Sequence, residues 1–148
     1  MTTTDKLLSR YGNPSTGRSI FEQKHMTLYR VPAYLRKEIP CLPEKIYLNK
    51  DALIPLENTL NDLIDEGFHK ELKTYDGCFN VRLIRGSKTT PSVHSWGLAF
   101  DFNAKDNPLG GPVRFSKEFL DIWTDNGWTC GAFFTRKDGM HFELTSHL

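Results

Sequence analysis

No stretch of this chain approaches the roughly 20 consecutive apolar residues that a membrane-crossing helix needs, so insertion into a bilayer is not expected. Charge of one sign is equally scarce. Nineteen Lys and Arg stand against 18 Asp and Glu, for a formal net charge of +1, and no basic run is present to track a phosphate backbone. Nucleic acid is therefore not an expected partner. Cysteine is rare: Cys41, Cys78 and Cys130 are odd in number and lack C-x-x-C spacing. They are expected as reduced, partly buried thiols rather than a disulfide framework, although one bridged pair is left open. The N-terminal Met1-Thr2-Thr3-Thr4-Asp5-Lys6 has no apolar run behind a basic head, the mark of a secretory signal. The expectation is synthesis in the (host) cytoplasm, with a target beyond the membrane reached only after release. Internal repeats and low-complexity segments are also missing.

What is present is ordinary globular composition, 39% hydrophobic and 25% charged over 148 residues, enough for one domain spanning 1–148 with a proper core. A monomer is expected. A short helix is expected near 4–10, and the proline and glycine signals through residue 40 predict a loop-rich N-terminal wrap. Residues 45–49 read as a short strand. Leu53, Leu56, Leu60, Leu63 and Ile64 recur at helical spacing, predicting the main core helix over 51–66, with Asp51 as cap, Pro55 in the first turn and Gly67 as stop. Residues 79–84 alternate and predict a half-buried strand. Ser116 is expected to cap a helix closed by Asn126-Gly127, and strands are expected within 127–134 and over 140–145. Helices with antiparallel strands, not βαβ units, make the class α+β: a small antiparallel sheet packed on helices.

Two stretches carry chemistry: Ser92-Val93-His94-Ser95-Trp96-Gly97-Leu98-Ala99-Phe100-Asp101 and Asp138-Gly139-Met140-His141-Phe142-Glu143-Leu144. Taken as strands, 98–103 and 140–144 each alternate. Leu98, Phe100 and Phe102 lie on one side and Asp101 on the other; Met140, Phe142 and Leu144 oppose His141 and Glu143. If the strands are neighbours, Asp101 and His141 share a face. Gly97 would allow a bend bringing His94 round to them, and Ala99 would leave room. Two imidazoles and a carboxylate suit a zinc site with one open position. H-x6-D and D-x-x-H are each weak patterns alone, and a structural role for these residues stands beside the metal reading. Lone His25 and His69 read as packing or surface residues, and Trp96, Trp128 and Phe133 as core aromatics before cleft aromatics. Ser92 and Ser95 are not expected nucleophiles, because no separate His–Asp pair serves them.

The first stretch resembles the M15 zinc peptidases, matching their S-x-H-x-x-G-x-A-x-D signature at all five defined positions, and the second resembles the D-x-x-H-x-E ending of their phage-type members. The chain thus resembles that family over roughly residues 75–144, a family including D-Ala-D-Ala carboxypeptidases and dipeptidases and phage L-alanyl-D-glutamate endolysins. The resemblance implies a fold like that of hedgehog domains and D-Ala-D-Ala peptidases. It implies Zn2+ held by His94, Asp101 and His141, and Asp138 as catalytic acid/base. It further implies Glu143 and Ser92 as supporting groups, and Arg82, or alternatively Arg85, as the residue binding substrate. The implied function is hydrolysis of peptidoglycan stem peptides, as an L-alanyl-D-glutamate endolysin or else a D-Ala-D-Ala carboxypeptidase. A different class, a zinc-bearing binding domain without turnover, is the competing reading, and Asp138 argues against it.

Overall fold

The computed structural model describes residues 1–148. Its elements run α1 (Thr3–Tyr11), α2 (Arg18–His25), β1 (Met26–Arg30), α3 (Ala33–Glu38), β2 (Lys45–Asn49), α4 (Lys50–Glu66), β3 (Tyr75–Gly77), β4 (Ala99–Phe102), α5 (Lys117–Asp125), β5 (Trp128–Cys130) and β6 (His141–Leu144). Short 3-10 turns occupy His69–Glu71, Val93–Trp96 and Gly131–Phe133. Strands β1 and β2 form one antiparallel pair, and the other four strands form a sheet in the order β3-β4-β6-β5, also antiparallel throughout. The class is α+β, as the sequence predicts.

The helical stripe on α4 buries Ala52, Leu56, Leu60 and Leu63, while Asp62, Asp65 and Glu66 stay exposed. Its cap is Asn49, whose side chain accepts from the Asp51 N–H; Asp51 itself lies in the first turn. Pro55 falls one turn further in than expected, at a cost of one intrahelical hydrogen bond. Gly67 ends the helix in the left-handed conformation, φ 83°. Ser116 caps α5 by accepting from the Phe119 N–H.

The apolar face of the four-stranded sheet lies on α4 and α5. Phe142 stacks on Trp123 at 4.2 Å between centroids, Phe102 packs against both, and Trp128 donates its indole N–H to Thr59 on α4. Phe100, Phe102 and Phe142 are wholly buried. Burying each stabilises the fold by about 1.5–3 kcal/mol relative to exposure, and this commits the opposite face of β4 and β6 to the polar residues.

Two expectations need correction. The N-terminal stretch to residue 40 is not a loop-rich wrap, for it contains α2, β1 and α3. Phe21, Met26, Tyr29, Val31 and Leu35 are buried, so tertiary burial overrides the local turn signals there. The half-buried strand over 79–84 does not form either; only Leu83 bridges Pro91, and the strand pairing with β4 is Tyr75–Gly77. The polar groups of 80–82 are occupied by the motif turn instead. Asn80 N–H donates to His94 C=O, Arg82 N–H to Ser95 Oγ, and Ser92 N–H to Arg82 C=O.

Candidate metal centre and cleft

The site is built on a registered strand pair and one tight turn. In β4 and β6, Ala99 lies opposite Glu143, Phe100 opposite Phe142, and Asp101 opposite His141. The alternation that buries the phenylalanines therefore aims Asp101 and His141 at the same side. His94 comes from the 3-10 turn Val93–Trp96, which Ser92 caps by accepting from His94 N–H at 3.3 Å. Gly97 ends that turn at φ 67°, where a Cβ would sit 2.7 Å from Met26 Sδ and 2.8 Å from the Asn49 nitrogen. Only glycine fits this bend. The turn is pinned again by Trp96, whose indole N–H donates to Gly12 C=O at 2.9 Å, and by Asn49, whose amide donates to Trp96 C=O at 3.0 Å.

His94 Nε2 lies 3.3 Å from Asp101 Oδ2, and His141 Nδ1 lies 3.6 Å from Asp101 Oδ1. The donor atoms of the three residues fall within 4.8 Å of one another. Tetrahedral zinc with bonds near 2.0–2.1 Å puts its ligand atoms about 3.3 Å apart, so the spacing fits. The hydrogen bonds at the far sides of both rings fit as well. His94 Nδ1 lies 2.6 Å from Cys78 C=O, which only accepts, so that nitrogen carries the proton and Nε2 presents a lone pair. His141 Nε2 lies 2.8 Å from Glu143 Oε1 and donates to it, turning Nδ1 toward Asp101. His94 Nε2 and Asp101 Oδ1 are buried with no hydrogen-bond partner. Lone pairs crowded together out of water are unfavourable unless a cation joins them. The chemistry of the donor set thus fits a divalent metal.

Electrostatics favour positive charge at the same point. Burial works to raise the Asp101 carboxyl, but the imidazoles of His141 and His94 outweigh it and hold it well below the usual carboxylate range. Burial lowers His141, but Asp101 and Glu143 overcome it and raise the imidazole to about 9. Without metal, the cluster attracts a proton to the place where a cation fits. Asp138, with Oδ2 3.9 Å from His141 Nδ1, is raised by burial, an effect that the charges of His141, His94 and Arg85 oppose.

These groups form the floor of a cleft of about 280 Å³. Arg82 and Arg85 line one wall, with Ile84 and Val93; Phe134, Arg136 and Asp138 come from the segment before β6. Every residue singled out from the two motifs (His94, Asp101, Asp138, His141, Glu143, Ser92) lines this cleft, together with both candidate arginines. Arg82 reaches it from an irregular segment, not from a sheet strand as strand alternation implied. Trp96 and Trp128 are buried in the core, and Phe133 is exposed. The cleft aromatic is its neighbour Phe134. Sequence reasoning missed Phe134, Leu109, Met140 and Arg136. Of these only Arg136 carried a signal, a cation two residues before Asp138. His25 packs edge-on against Tyr11, and the buried His69 lies 3.6 Å from Glu38, both remote from the cluster.

Residues 85–144 match the M15 peptidase family model described as D-alanyl-D-alanine carboxypeptidase. The matched stretch holds His94, Asp101, Asp138 and His141, and it supports an M15 family peptidase. No curated protein and no solved structure matches the chain.

Proposed function

We propose that the protein is a zinc-dependent peptidase of peptidoglycan stem peptides, acting as an L-alanyl-D-glutamate endopeptidase of the endolysin type. The observation carrying this reading is the convergence of buried, unsatisfied lone pairs from His94 and Asp101 with His141 Nδ1 beside Asp138 at the floor of an arginine-lined cleft. The D-x-x-H-x-E ending, shared with phage-type members, favours the endopeptidase over other M15 activities.

His94, Asp101 and His141 would hold the zinc, which when bound would supply the Lewis acidity that acidifies a water molecule and polarises a carbonyl. Asp138 accepts the proton of the attacking water and delivers it to the leaving nitrogen. The C–N bond breaks, and the products are a carboxylate and an amine. Cys78 C=O and Glu143 keep the imidazoles in the tautomers that ligation needs. Arg82 and Arg85 bind a carboxylate of the stem peptide, in the bidentate manner open to a guanidinium. The substrate lies outside the membrane, so the protein works on the wall after release, as a monomer.

The second reading is a D-Ala-D-Ala carboxypeptidase, favoured by the description of the matching family model. Digestion of purified sacculi and stem peptides by the zinc-loaded protein, followed by mass analysis, separates the two. Release of new D-Glu amino termini is expected. Loss of terminal alanine alone would establish the carboxypeptidase. No cleavage by the zinc-loaded protein would leave a zinc-bearing binding domain.

A further inference from the structure

Three guanidinium groups rim the cleft, and two of them, Arg82 and Arg85, belong to one wall. The third, Arg136, comes from the segment that carries Asp138. Its Nη1 donates to Arg85 C=O at 3.2 Å, spanning the two walls near Gly86. None of the three arginines has a carboxylate within ion-pairing distance, although Asp101, Asp138 and Glu143 line the same cleft.

We infer that Arg136 is a specificity residue, binding a second substrate carboxylate from the wall opposite Arg82. This rests on the peptidase reading and extends it to the substrate: an acidic peptide with carboxylates on both sides of the cleft. The contact to Arg85 C=O occupies one of five N–H donors of the guanidinium and leaves enough for a bidentate contact with an anion. A neutral donor would serve a contact to one backbone carbonyl equally well. The charge has no such local use, and Arg85 brings a second positive charge to the same cleft. Positive charges gathered on one rim raise the local concentration of anions. A substrate carboxylate at this edge offsets that charge. It also anchors the chain away from the metal, where the scissile carbonyl must sit. The cleft then reads charge twice, with Arg82 or Arg85 on one wall and Arg136 on the other. A guanidinium fork gains more from a carboxylate than from a carboxamide, which has neither the charge nor two equivalent oxygens.

The test uses the zinc-loaded protein and a set of stem peptides whose carboxylates are converted, one at a time, to carboxamides. For the wild type, at least two separate amidations are expected to lower kcat/KM by about tenfold or more each. In Arg136→Gln one of those penalties disappears, because the free-acid substrate has already lost a similar factor, mainly in KM. The other penalty persists. Arg136→Lys, keeping charge without the fork, retains part of the lost discrimination. Zinc content and melting temperature of both variants stay at wild-type values. If Arg136→Gln keeps every amidation penalty, or slows all substrates by one common factor, Arg136 only latches the two walls and the inference is overturned. Failure of the wild type to cleave any of the peptides is a different outcome. It removes the peptidase reading itself, and the inference with it.

Discussion

Asp101 and His141 stand directly opposite one another in the β4–β6 ladder, with His141 Nδ1 3.6 Å from Asp101 Oδ1. Forty residues of chain separate them, yet their meeting is an outcome of register alone. A slip of one residue in either strand would put Asp101 and His141 on opposite faces of the sheet, turning one of them into the aromatic core and bringing a phenylalanine of the slipped strand to the cleft. The candidate metal site is thus protected by the same packing that stabilises the sheet.

Because the donor set is assembled only in the folded chain, metal binding should add directly to stability. At a free zinc concentration 1,000 times Kd the gain is about 4.1 kcal/mol. For a domain of this size that raises the melting temperature by roughly 8–16 °C. Thermal melts with zinc and with chelator should show this difference for the wild type and for Asp138→Ala. The difference should vanish in His141→Ala, and an unchanged zinc response there would contradict its assignment as a ligand.

Glu143 accepts from His141 Nε2 at 2.8 Å and thereby turns Nδ1 toward Asp101, where a metal would sit. Glu143→Ala should weaken zinc binding by about 10- to 100-fold, the usual cost of losing such a partner. Cys78→Ala should leave affinity nearly unchanged, because His94 bonds to the main-chain carbonyl of that residue and not to its thiol. Competition titrations against a zinc chelator measure both.

Gly97→Ala would place a methyl group within 2.8 Å of Met26 and of the Asn49 backbone, at a positive φ that L-residues rarely adopt. A destabilisation of at least about 1–3 kcal/mol is expected from the backbone conformation alone. Since this bend sets His94 against Asp101, zinc affinity should fall with it. Urea denaturation and metal titration of the variant provide the check. Wild-type values in both would mean the turn relaxes without moving His94.

Acid sensitivity should come partly from the end of the chain. Tyr11 Oη donates to Asp51 Oδ2 and receives a hydrogen bond from His147 Nε2, both at 2.6 Å. His147 Nδ1 is buried without a partner, and His25 lies edge-on to the same tyrosine. Burial lowers the pKa of both imidazoles, with Arg10 adding to the effect and Asp51 opposing it. The folded state therefore prefers them neutral, while the unfolded chain takes up protons near pH 6.5. Their contribution is complete above about pH 6.5 and is lost as pH falls below it. Urea midpoints measured from pH 7.5 down to 5 should decline, and less steeply in His147→Gln. An equal slope in that variant would remove His147 from the account.

The sequence was informative where its pattern was periodic and local. The alternation around Asp101 and His141, the stripe on α4 and the cap at Ser116 each reflect burial of one face of one element. The alternation was enough to put Asp101 and His141 on one face, with His94 reached through a bend at Gly97, whereas the place of Asp138 beside them came from the resemblance to the M15 peptidases. They misled where partners were distant. Phe79, Asn80, Val81 and Arg82 alternate as a strand would, but a strand needs a free neighbouring edge. The turn bearing His94 takes up their backbone and side-chain hydrogen bonds instead. The first 40 residues failed in the opposite direction. Prolines and glycines mark their turns, and the core contacts that make α2, β1 and α3 worth forming lie in other parts of the chain.

What the sequence by itself determined, then, is the chemistry available: two imidazoles, a carboxylate and a nearby acid, on strands whose apolar residues must face the other way. Only the tertiary structure decided how that chemistry is focused. It paired β4 with β6 in the one register that opposes Asp101 and His141, and it used Cys78 C=O to set the ring of His94. It also carried Arg136 across to the wall of Arg85. The physical reason is that side-chain alternation is local to each strand. Register, tautomer and cleft walls depend on hydrogen bonds between segments far apart in the chain.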